Sequence, residues 1–282
     1  MVFSIGSQIL RLRNIPQEWL SSEPGKRLLK FHTPSTIIPE SVFNLNIVDT
    51  VILPRQVHFK KRREISWYHD TESNRQYFIT PEMKSCIDWD KRELQLELLS
   101  PSEFVVLSDI EKVLIQLRLL ISFLTVKAGG LPLHSSAVFR NSMALVFFGH
   151  SGSGKTTIAR IMANSNWHLL NDEYNIVMVE NGLLRVYSTP FTRRAPELIN
   201  EPGGISVNNL FQLGRGTFAI KAIPLEKQIT FLLQSVYLFP EFGSNGKRLL
   251  DNVITVCSKR PPRILDFENN PGTAVILDKH CA

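Results

Sequence analysis

Cysteine is scarce in this chain: Cys86, Cys257 and Cys281 are the three in 282 residues. They stand far apart, with no C-x-x-C pair and no histidine cluster beside them. That removes a disulfide framework and a structural zinc site from consideration, and it points to a reducing compartment. Long apolar runs are also missing. The longest, VLIQLRLLISFLTV at 113–126, is too short to span a bilayer and contains Gln116 and Arg118. Its apolar residues recur at helical spacing, which predicts a buried amphipathic helix over about 111–127. In the opening MVFSIGSQILRLRN the basic residues follow the short apolar run instead of preceding it, so no secretory signal is expected. These absences suggest a cytoplasmic protein with no membrane partner.

Internal repeats and low-complexity segments are lacking as well, and the charge imbalance is modest. There are 32 basic and 26 acidic residues, a net charge of +6. The densest basic block, Lys60, Lys61, Arg62 and Arg63 after Phe59, reads as a solvated strand end, with a patch for an anionic partner as the alternative. No nucleic-acid partner is expected, and a homo-oligomer is left open.

What is present is an ordinary globular composition, 43% hydrophobic and 21% charged, enough for one large core or two modest ones. From about 40 to 107 the pattern is short and alternating, as in ELQLEL at 93–98 and REISWYH at 63–69, punctuated by proline or asparagine. This predicts a small antiparallel β-rich unit over about 40–107, within a β-rich N-terminal domain of 1–107. A second domain is expected over 108–282. There MALVFF at 143–148 is a continuous apolar run typical of a fully buried strand, so the fold class is α/β.

Immediately after that strand comes GHSGSGKTTIARIMAN. Gly149 and Gly154 bracket four residues, and Lys155 and Thr156 follow, as in the G-x-x-x-x-G-K-[ST] phosphate loop (P-loop). Glycines at Gly149, Gly152 and Gly154 let the backbone turn its N–H groups toward phosphate oxygens, with Ser151 and Ser153 between them, and the helix N-terminus adds partial positive charge. Lys155 would reach the terminal phosphates, the Thr156 hydroxyl would ligate magnesium, and Thr157 completes the nucleotide-binding run. The alternative is a chance glycine-rich turn between a strand and a helix.

The next signal is LLNDEYNIVMV. Asp172 follows Lys155 by 172 − 155 = 17 residues, so one helix separates the loop from Asp172 and Glu173. Both carboxylates are expected at the C-terminal edge of the neighbouring strand, beside the phosphates. One would hold magnesium and the other would accept a proton from an attacking hydroxyl, the two tasks phosphoryl transfer sets for carboxylates. In the bland alternative Asp172 caps a turn and Glu173 is solvated.

Taken together, LHSSAV, GHSGSGKTT, LLNDE and APELI…GGISVNNLF resemble the catalytic domain of the HPr serine kinase family, including the HPr kinase-like enzymes that phosphorylate lasso-peptide precursors. The resemblance covers roughly 108–282, with RILDFENNPGTAVIL at 263–277 similar to the closing strand of the kinase-like members. It implies an HPr kinase/PEP carboxykinase-like kinase core. The expected phosphoryl donor is then a nucleoside triphosphate, ATP, with another nucleotide or pyrophosphate as alternatives; the metal is Mg2+, and the acceptor a serine hydroxyl of a peptide or small protein. On this resemblance His134 is the active-site histidine that helps place the acceptor hydroxyl or the transferring phosphate. Lys155 binds phosphate, and Thr156 and Asp172 bind the metal. Asp172 and Glu173 match a pair that is Asp-Asp in HPr kinase itself, where the second acid is the proton acceptor. The extra methylene of Glu173 leaves the division of roles open.

Arg193, followed by Arg194 in STPFTRRAPEL, is similar to an arginine of kinase-like relatives and suits phosphate charge in transfer. Where the parent family carries a Glu-Ile-Arg-Gly motif, this chain has Glu201, Pro202, Gly203 and Gly204. With no arginine there, dephosphorylation by the same enzyme is not expected. Alternatives are a small-molecule kinase on the same fold and a nucleotide-binding regulator without catalysis. A phosphoenolpyruvate carboxykinase is disfavoured because its metal-binding histidine and lysine set is not evident.

Overall fold

The protein is described by a computed structural model covering residues 1–5, 8–13, 16–33, 42–55, 57, 59–62, 65–99, 108–192, 204–237 and 245–281. It is mixed α/β, with seven helices among the described residues, and divides into two compact units, Met1–Ile121 and Ser122–Ala282.

The first unit is built on strands β1 (Val2–Ile5) and β2 (Gln8–Arg13), helices α1 (Gln17–Ser21) and α2 (Glu23–Leu29), and strands β3 (Phe43–Ile47), β4 (Lys60–Arg62), β5 (Ile65–Asp70), β6 (Arg75–Thr80), β7 (Met83–Asp88) and β8 (Glu93–Leu98). They form one eight-stranded sheet in the order β1-β2-β3-β8-β7-β6-β5-β4. The alternating run ELQLEL coincides with β8 and pairs antiparallel with β7, as its period predicts. The sheet as a whole is mixed, which corrects the antiparallel expectation: β2 pairs with β3 and β3 with β8 in parallel. Parallel neighbours need a long crossover, and the chain between β2 and β3 carries α1 and α2.

The second unit follows helix α3 (Asp109–Lys127), within which the division falls. Its elements are β9 (Leu131–Arg140), β10 (Met143–Phe148), α4 (Lys155–Ala163), β11 (His168–Asn171), β12 (Tyr174–Glu180), β13 (Leu183–Tyr187), β14 (Ile205–Leu213), β15 (Ala219–Ala222), α5 (Leu225–Ser235), α6 (Asn245–Lys259), β16 (Arg263–Asp266) and α7 (Gly272–Cys281). The strand order is β10-β9-β12-β13-β14-β16-β15, with β11 on β9. A parallel pairing of β10 with β14 closes the ring β9, β10, β14, β13, β12. As its unbroken apolar run predicts, β10 is buried from Ala144 to Phe148.

Against β10, β14 and β16 pack α4 and α7. Ile158, Met162, Ala274 and Leu277 meet Leu145, Phe147, Phe211 and Leu265 in one buried cluster. The run at 263–277 is strand only over Arg263–Asp266 and then becomes α7, so most of it is not a closing strand. The reason is local: Asn270 Oδ1 accepts from Thr273 N at 3.2 Å, and Pro271 lacks an N–H, which suits a helix start.

Candidate active site

Strand pairing puts the glycine-rich loop where it is. Phe148, the last residue of β10, is flanked by Ser135 on β9 and Gln212 on β14, and the chain leaves the sheet at Gly149. Gly149, Gly152 and Gly154 have φ of 147°, 79° and 98°, a region that side chains disfavour. At Gly154 space is short too, because a Cβ there would lie 2.9 Å from Phe267 Cζ. Gly154 also begins α4, which has no side-chain N-cap. The first-turn N–H groups and the positive end of the helix therefore offer an anion site. Within the loop, the Ser153 hydroxyl is buried with no protein hydrogen-bond partner.

Lys155 Nζ donates to the carbonyls of Gly149 at 2.9 Å and His150 at 3.0 Å. Lys155 is buried at 7% exposure, because the loop's own carbonyls hold the ammonium inside the turn. Arg215 Nη2 braces the rim by donating to Gly152 O at 3.0 Å.

The acidic pair sits in the bend between β11 and β12. Asn171 makes that bend: its Oδ1 accepts from Glu173 N at 2.9 Å and Tyr174 N at 3.2 Å, and its Nδ2 donates to Thr189 O at 2.8 Å. Turn capping thus falls to Asn171, which sequence reasoning passed over, and not to Asp172. Nor is Glu173 solvated; Asp172 and Glu173 are 3% and 8% exposed. Strand β11 pairs with β9, and β9 with β10, so one antiparallel strand separates the acids' strand from the loop's strand. The expectation of direct neighbours is corrected accordingly.

Register delivers the histidine. His134 is the cross-strand partner of Tyr174, which places it beside Glu173, and it precedes Ser135, the partner of Phe148, which places it beside the loop. His134 Nε2 lies 3.7 Å from Glu173 Oε2, an ion-pair distance too long for a hydrogen bond. The other oxygen, Glu173 Oε1, accepts from the Tyr237 hydroxyl at 2.5 Å. Asp172 Oδ1 accepts from Thr192 Oγ1. Thr192 lies in the run that drew attention to Arg193 and could have been noticed as a hydroxyl. Tyr237, in contrast, carries no local signal.

A cavity of about 290 Å3 is lined by His134, Ser151, Gly152, Gly154, Lys155, Thr156, Thr157, Asp172 and Glu173. Gly149 and Ser153 belong to the same loop without lining it. Arg193, Arg194, Glu201, Pro202 and Gly203 lie outside the described residues. Among the described residues there is no group of three or more His, Cys, Asp or Glu side chains able to hold a metal. One carboxylate and one hydroxyl, Asp172 and Thr156, still suit magnesium, which keeps several waters and takes substrate phosphate oxygens.

No family model matches the chain, and no curated protein matches its sequence. Among solved structures it is similar to the Hpr(Ser) kinase/phosphatase from Coxiella burnetii. The TM-score is 0.31 and the identity 10%, and the match covers 53% of this chain and 95% of that one. A similarity at this level assigns no activity.

Proposed function

We propose that the protein is a magnesium-dependent P-loop kinase that transfers the γ-phosphoryl group of ATP to a serine hydroxyl of a peptide or small protein. The observation that carries this reading is the single cavity in which the glycine-rich loop, Lys155, Thr156, His134, Asp172 and Glu173 all meet. A phosphate-binding module alone would not need two buried carboxylates and a histidine at the same opening.

The uncapped start of α4 and the Lys155 ammonium, both at the cavity, fit the phosphates of the donor. Thr156 and Asp172 would hold magnesium, which neutralises charge on the phosphate oxygens. Glu173 takes the proton from the acceptor hydroxyl as that oxygen bonds to the γ-phosphorus. The bond from the γ-phosphorus to its bridging oxygen breaks, and ADP leaves with the electron pair. The proton on Glu173 then passes to solvent. His134, beside Glu173 and the loop, orients the acceptor. Once the donor fills the loop, the acceptor must be within about 3–3.5 Å of its target.

The test is mass spectrometry of candidate peptides and small proteins incubated with the protein, ATP and magnesium. Phosphoserine is expected on one of them, and Ser→Ala in that acceptor should abolish labelling while leaving binding intact. Efficient phosphorylation of a free metabolite with no labelled peptide would make this a small-molecule kinase instead.

A further inference from the structure

Tyr237 stands 64 residues from Glu173 in the chain and donates to its Oε1 at 2.5 Å. The segment that brings it there is fastened to the strand carrying His134. Just after α5, Val236 forms a bridge with Leu133, and Tyr237 N donates to Pro132 O at 2.8 Å. The phenol ring then lies 5.2 Å from the His134 ring and 5.1 Å from that of Tyr174. Tyr174 is itself fully buried, its hydroxyl 2.7 Å from Ser122 Oγ. Backbone, ring and hydroxyl thus hold Tyr237 in one place.

A glutamate has one more rotatable bond than an aspartate, and a base must present its oxygen at a fixed distance from the acceptor. With Oε1 held by Tyr237, the carboxylate is turned so that Oε2 lies on the side of His134. Asp172 has a different neighbour, Thr192 on Oδ1. We infer that Tyr237 is the positioning residue of the general base: it fixes the Glu173 carboxylate so that Oε2 receives the acceptor's proton, which leaves metal binding to Asp172. This rests on the kinase reading above.

Tyr237→Phe in the full chain keeps the ring and removes the hydroxyl. The expected result is a fall in kcat of about 10- to 100-fold, with unchanged affinity for a fluorescent ADP analogue and unchanged thermal melting. Glu173→Asp keeps the charge but draws the carboxylate back from Tyr237. It should lose a similar factor in kcat, and adding Tyr237→Phe to it should cost nothing more. Wild-type kcat in Tyr237→Phe, or independent multiplying losses in the double variant, overturns the positioning role while leaving the kinase reading standing. If Tyr237→Phe does not fold, a wild-type kcat for Glu173→Asp overturns the role on its own. Wild-type protein that binds the ADP analogue but phosphorylates no peptide or protein sinks the kinase reading, and this role with it.

Discussion

Asp172 and Glu173 are adjacent in the chain, yet their side chains are held by different groups, Thr192 on one and Tyr237 with His134 on the other. Different partners imply different work. Asp172→Asn and Glu173→Gln keep size and remove charge, so they separate metal binding from proton transfer. Glu173→Gln should bind magnesium nucleotide like the wild type and lose about 10²- to 10⁴-fold in transfer, the usual share of a general base. Asp172→Asn should bind magnesium nucleotide more weakly. Isothermal titration with and without magnesium, set beside turnover, checks both. Normal transfer by both variants would remove these roles altogether.

At the scale of elements, α4 and α7 share one buried cluster on the sheet, and one polar clamp fastens α7 to strand β9. Arg140, the last residue of β9, makes a two-pronged ion pair with Asp278 on α7, at 2.5 and 3.2 Å. Trp167 Nε1 donates to the same carboxylate at 3.1 Å, and the Arg140 guanidinium lies over the Trp167 ring, 4.7 Å from its centre. The Arg140 hydrogen bonds hold the Asp278 carboxyl below the usual carboxylate range. A lowered folded-state value stabilises the protein above the ordinary carboxylate pKa of about 4. That stabilisation is lost as pH falls through the lowered value. Asp278→Asn should therefore melt below the wild type at pH 7, with the gap closing as pH is taken down to 3. Melting curves whose separation stays constant across that range would show that the clamp contributes no pH-dependent stability.

For the whole molecule, the three thiols provide a separate reporter in each compact unit. Cys86 lies in the first unit, Cys257 and Cys281 in the second, and all three are free and buried. Burial pushes Cys257 and Cys281 up to about 11, and Cys86 upward as well. The thiolate is the reactive form, and at pH 8 a thiol of that kind is almost entirely protonated. Alkylation of native protein at pH 8 should therefore be slow at every cysteine. With rising urea, Cys86 becomes reactive as the first unit opens, and Cys257 and Cys281 react together as the second does. Rapid labelling of any one of them in native protein would contradict its burial. None of the described helices is long and apolar enough to cross a membrane.

Several parts of the molecule were legible from neighbouring residues alone. MALVFF predicts β10 to the residue, ELQLEL predicts β8, and the glycines with Lys155 and Thr156 predict the turn into α4. The spacing of 17 residues from Lys155 predicts acids one helix beyond the loop, where they are found. Apolar periodicity, glycine's freedom and helix starts act within a few residues, so a linear reading captures them. Tertiary structure decided the rest: the parallel pairings of β3, the closure of β10 on β14, and the meeting of Tyr237 with Glu173. Each of these depends on where remote segments pack. A strand has two edges and a carboxylate accepts from any donor in reach, so local pattern does not choose the partner. That choice falls to the arrangement that buries the most apolar surface while leaving the fewest polar groups unsatisfied.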